Sequence, residues 1–226
     1  MSWNASLSEL TTAATDALLA GVASWATVTV FRLHSPEQWK VRIWAAVFGL
    51  LALGAALGAV VHGFAWSPEV RLRLWAPLFL SLALTVALFV VGAIYDKSGY
   101  SASRKALPLL LLVGILFFTA TEIGKGNFLW FVIYESVAML ISFGIYGYLA
   151  LRRLTPGAGL MTLGIFLSMV AAVIQATKKL HWGGPMPVNG DGIFHLVQIV
   201  AVVVLVQGLR RGLISPVVEA SKVRTG

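Results

Sequence analysis

Of 226 residues, 58% are hydrophobic and only 12% are charged, against roughly 45–50% apolar and about 25% charged residues in a soluble domain, and the mean hydropathy is +0.86. This balance excludes a water-soluble globular chain and describes an integral membrane protein. A formal charge of +8 would suit a nucleic-acid binder, but Lys and Arg stand in short clusters between apolar runs, where they set topology and do not form a nucleic-acid surface.

An apolar helix needs about 20 residues to cross a bilayer, and seven stretches qualify. The first, 13–33, follows "MSWNASLSELTTAAT", which lacks the basic n-region of a signal peptide, so it is expected to stay in the chain. It carries Asp16 at its start. "NAS" at Asn4 has the form of a glycosylation acceptor. The second, 41–64, ends in "LGAALGAVVHGF", with Gly54, Gly58 and His62 at four-residue spacing on one face. Small residues at that spacing let a neighbouring helix come close, which carries His62 into the bundle.

The third and fourth, 72–95 and 106–124, flank the polar run "DKSGYSASRK", and the fourth ends near Glu122. The fifth, 128–150, places Glu135 about two turns inside apolar sequence. The sixth covers 158–177. After "KKLHWGGPMPVNG", which holds His181, the seventh covers 191–212 and opens on Asp191 and His195, four apart and therefore on one face. "ISPVVEASKVRTG" reads as a short mobile tail. The expected fold is all-α, a single seven-transmembrane-helix bundle over residues 1–226.

With the N-terminus outside and the C-terminus inside, 12 Lys and Arg fall on the inner side and five on the outer, as the positive-inside rule requires. Asp16, His62, Glu122, Glu135, Asp191 and His195 then all lie in the outer half. An ionisable side chain within hydrocarbon faces the bundle interior, a partner or water. These six are expected to share one polar chamber beneath the outer surface.

Two imidazoles and a carboxylate, His62, His195 and Asp191, form a workable ligand set for zinc or a similar divalent ion with one position open to water. Glu122 or Glu135 would then act as general base or orient a ligand imidazole. Each residue also has a plainer role: Asp191 as a helix-start acid, Asp16 likewise, His195 hydrogen-bonded to a carboxylate across helices, His62 solvated, His181 in an interfacial loop, and Glu122 paired with Lys125. Glu135 is hardest to reassign, because bulk water is out of its reach. There are no cysteines, which excludes disulfides and thiolate metal sites. No HExxH, Gly-rich phosphate loop or GxSxG elbow is present.

Seven segments, "HGF" closing the second and an acid-xxx-His opening the seventh, resemble the alkaline ceramidase and adiponectin-receptor-like superfamily of membrane hydrolases. The resemblance implies a zinc ion held by His62 and His195. Asp191 stands where that pattern has a further His, and Gly58 stands where it has a Ser. Two functions follow as expectations: a metal-dependent hydrolase of a lipid amide or ester, or a non-catalytic receptor, transport component or scaffold whose polar cluster binds a small ligand or proton. In both, membrane lipids are the surroundings, in a prokaryotic cytoplasmic membrane or an internal membrane.

Overall fold

The computed structural model describes residues 3–224 except Ala5, 125–127, 178–181 and 184–186, with the backbone alone at 128–129 and 215–224. The described residues form six helices: α1 (Leu7–Phe31), α2 (Gln38–Gly63), α3 (Pro68–Ile123), α4 (Phe128–Leu151), α5 (Ala158–Thr177) and α6 (Gly190–Arg224). All six are long and apolar enough to cross a membrane. Their outward surfaces are apolar as well: Leu109, Leu112, Val137, Leu140 and Phe166 are exposed. Water would penalise such a surface, and lipid does not.

The sequence points to seven segments, and the difference lies in α3. A straight helix of its 56 residues would be about 84 Å long, against a hydrocarbon core of about 30 Å. It is not straight. Gly99 has φ +80 and ψ −176, a left-handed φ that only glycine adopts without strain. Around it the chain folds back: Ser103 Oγ donates to the Val91 carbonyl at 3.3 Å, and Gly114 lies against the carbonyl of Ala83. The expected loop "DKSGYSASRK" is therefore helical on both sides of one glycine.

Other boundaries move for local reasons. α1 begins at Leu7 and not at 13, because Ser6 caps it, its side chain accepting from the Glu9 N–H. Ser6-x-x-Glu9 is the capping-box spacing. The C-terminal run expected to be a tail continues α6 as helix to Arg224.

The helices form a ring. Each lies against its neighbours in the chain, and α6 closes back on α1. The end of the ring nearer Phe31 and Lys40 is filled by Trp44, Phe48, Tyr146 and Leu209, all fully or almost fully buried. A buried ion pair sits there: Lys40 Nζ lies 2.5 Å from Asp96 Oδ1, and Tyr146 Oη donates to Asp96 Oδ2 at 2.7 Å. Together they tie α2, α3 and α4. The other end of the ring is open inside.

Candidate functional site

A chamber of about 510 Å³ occupies the open end. α6 lines it with Asp191, His195, Gln198, Val202 and Leu205, positions separated by three or four and so on one stripe. The stripe runs about 21 Å along the helix, polar at its start and apolar below. α2 repeats the gradient: His62 and Gly58 stand above Leu51, Phe48 and Val47. From the first arm of α3 come Leu72, Trp75, Leu82 and Phe89, and from α4 Phe131, Glu135 and Met139. The wall is polar at one end and oily along the rest.

Asp16 and His195 form the centre of the polar end. Their residues are only 4% and 6% exposed. His195 Nε2 lies 3.1 Å from Asp16 Oδ1, and Nδ1 lies 3.0 Å from Thr15 Oγ1. A threonine hydroxyl has one proton. With that of Thr15 on the Thr12 carbonyl at 2.9 Å, Thr15 Oγ1 accepts from Nδ1–H, and Nε2 and Asp16 share one proton. With it on Nδ1, Nε2–H donates to the Asp16 carboxylate. Residues 15 and 16 meet residue 195 because α1 and α6 are neighbours, an adjacency fastened at their ends. Thr11 Oγ1 donates to the Pro187 carbonyl at 2.6 Å, and Thr12 Oγ1 donates to Asn189 Oδ1 at 3.0 Å.

One lone atom stands out. Asp16 Oδ2 is buried without a hydrogen-bond partner among the described residues. It is directed at Gly58: a Cβ there would lie 2.7 Å from it. The place where the resemblance expects a Ser side chain is thus taken by the carboxylate of Asp16.

His62 is held differently. Its Nδ1 lies 2.8 Å from Glu9 Oε2, Arg71 reaches the same oxygen at 3.4 Å, and its ring stands edge-on to Trp75. Glu9 did not figure among the candidates from sequence. The Ser6-x-x-Glu9 spacing that starts α1 at Leu7 was the signal, since it extends the helix over Glu9 and towards the end of α2.

All six expected residues, Asp16, His62, Glu122, Glu135, Asp191 and His195, line the one chamber. Glu122 is exposed, at the mouth. His181 and Lys125 lie outside the described residues. A ligand imidazole needs a free ring nitrogen: both nitrogens of His195 are engaged, whereas His62 is bonded through Nδ1 alone, to Glu9. No group of three or more His, Cys, Asp or Glu among the described residues is placed to hold a metal ion. His195 is bonded to a carboxylate across helices, the plainer of its two expected roles.

No curated protein and no solved structure matches the chain. One family model does, over residues 11–214, a span that contains both the Asp16–His195 pair and every chamber residue named above. The chain belongs to the family of unknown function DUF6962.

Proposed function

We propose that the protein binds one amphiphilic molecule drawn from the surrounding membrane, its head at the Asp16–His195 pair and its tail in the apolar part of the ring. The gradient along α6 carries this reading: Asp191, His195 and Gln198 give way to Val202 and Leu205 on one continuous stripe of the chamber. A purely polar solute would leave the lower wall without a partner, and a purely apolar one would leave buried polar groups unpaired. A volume of about 510 Å³ falls within the range of about 300–1,000 Å³ typical of small-molecule sites. In this reading α3 counts as two crossings, giving seven with the N-terminus outside, in keeping with the 12 Lys and Arg on the inner side.

Hydrolysis of a lipid amide or ester is the second reading, and Glu135 on the wall of the chamber favours it. A carboxylate there is a competent general base, and the Asp16–His195 pair stands at the head of a chamber shaped for a lipid. No step in it runs through a metal. The common experiment is extraction of retained lipid from protein purified in nanodiscs. The wild type is expected to release one amphiphile per chain and Leu82→Trp, which fills the chamber, none. Equal release from both, or release of lipid fragments from neither after incubation with amide and ester lipids, counts against the binding and hydrolytic readings respectively.

A further inference from the structure

A second pocket, of about 420 Å³, lies at the opposite end of the ring from the chamber. Glu37, Trp39 and Arg42 wall it from the start of α2, and Tyr95 and Tyr100 from the two arms of α3 on either side of Gly99. Arg42 and Tyr100 are exposed and the Glu37 side chain is 28% exposed, so a ligand reaches both charged groups. Lys97, Arg104 and Lys105 are exposed around the same reversal. Basic and aromatic side chains at a segment end mark the level where hydrocarbon gives way to lipid head groups.

The pocket carries one charge of each sign, and they are not spent on each other. Glu37 caps α2 without a side-chain hydrogen bond. Lys40 Nζ lies 3.8 Å from it but 2.5 Å from Asp96, so one cation serves two carboxylates and a negative charge is left over. Arg42 is in no ion pair among the described residues. The walls are also fixed. Trp39 Nε1 donates to Ser103 Oγ at 3.0 Å and Ser103 Oγ to the Val91 carbonyl at 3.3 Å, which fastens α2 to both arms of α3. A site formed in advance loses little freedom on binding.

A ligand that meets both charges is an anion joined to a cation. The anion belongs at Arg42, whose fork of donors matches a phosphate. The cation belongs at Glu37, and the rings decide its type. A trimethylammonium group would need a free aromatic face, but the Arg104 guanidinium already stands 5.9 Å from the Trp39 ring centre and 5.7 Å from that of Tyr100. A primary ammonium needs no ring, because its three N–H donors bond a carboxylate directly. We infer that this pocket binds the head group of a phosphoethanolamine lipid from the membrane, its phosphate on Arg42 and its ammonium on Glu37. A phosphoglycerol head would leave Glu37 facing an anion, and a phosphocholine head offers Glu37 no donor.

The test is native mass spectrometry of the full chain in detergent micelles, with dioleoyl phosphatidylethanolamine, phosphatidylcholine and phosphatidylglycerol as probes. The first is expected to occupy one site per chain at least tenfold more tightly than either of the others. Arg42→Gln should weaken it at least tenfold, Glu37→Gln should bring the three lipids to equal affinity, and Leu82→Trp, which fills the chamber, should change nothing. Neither Glu37 nor Arg42 belongs to the buried core, so both variants keep the fold. Equal binding of the three lipids by wild type, or a preference that survives Glu37→Gln, overturns the assignment. A preference lost in Leu82→Trp and kept in Arg42→Gln overturns it by placing the lipid in the chamber. Displacement of the lipid by an equal concentration of tail-free glycerophosphoethanolamine overturns the membrane as its source.

Discussion

The carboxylate of Asp16 on α1 lies directly against the backbone of Gly58 on α2, so close that a Cβ at position 58 would sit 2.7 Å from Oδ2 and 2.8 Å from Oδ1. The contact couples the two helices to His195 on α6, because the same carboxylate bonds its imidazole. Gly58→Ala is therefore expected to destabilise the fold by about 1–3 kcal/mol, the usual cost of overpacking, despite alanine's better helix propensity. Asp16→Ala in the same chain should recover most of the loss, since the sites share one contact. Thermal unfolding of both single variants and the double variant measures the coupling. Strictly additive losses would mean that the carboxylate is not what Gly58 accommodates.

Lys40 and Asp96 predict a larger effect at the other end of the ring. Both side chains are almost fully buried, at 3% and 5% exposure. Removing one partner leaves an uncompensated charge, which costs about 3–5 kcal/mol, whereas apolar replacement of both is often neutral. Asp96→Leu should unfold at markedly lower temperature than wild type, and Lys40→Met with Asp96→Leu should recover most of the difference. A single variant as stable as wild type would show that the pair is open to solvent or ions.

The hairpin at Gly99 makes a topological prediction that the absence of native cysteine renders simple to check. With α3 crossing twice, Lys97→Cys should be labelled by an impermeant maleimide only from the face opposite to Trp3→Cys. Both positions are exposed. Labelling of the two from the same face would remove either the first arm of α3 or one of the first two helices from the membrane.

Metal content separates the resemblance from the geometry. Because His195 has both ring nitrogens engaged and no three His, Asp or Glu among the described residues are placed to hold a metal ion, elemental analysis of wild type, His62→Ala and His195→Ala should give the same content of zinc, manganese and iron in all three. Stoichiometric zinc in wild type that is lost in either variant would show that the side chains rearrange into the ligand set of the resembled hydrolases.

The apolar runs were legible in sequence because hydrocarbon demands them, and both ends of 41–64, 128–150 and 158–177 fall within three residues of the ends of α2, α4 and α5. The joint within α3 was not legible. "DKSGYSASRK" has a loop's polarity, yet one glycine makes the reversal and its flanks stay helical. The clustering of ionisable residues in one half of the bundle followed from depth alone, which sequence order encodes. Their pairing did not, because it depends on how α1 and α6 are rotated about their axes. Asp16 thus read as a helix-start acid and its bond to His195 went unforeseen. Glu9 was missed because the segment was drawn from hydropathy, which ignores the N-cap at Ser6.

The central claim is that one amphiphile occupies the interior of the ring, and the most direct measurement is where a photoreactive alkyl probe cross-links. A dodecyl chain bearing a terminal diazirine, photolysed with the protein in nanodiscs, should label Phe48, Leu51, Phe89 or Leu205. These residues line the chamber, and Phe48 and Leu205 are closed to the outside at 1% and 2% exposure. Excess unlabelled ligand should suppress that labelling. Cross-links confined to the outward-facing Leu109, Leu112, Val137 and Leu140, and indifferent to competitor, would contradict the account.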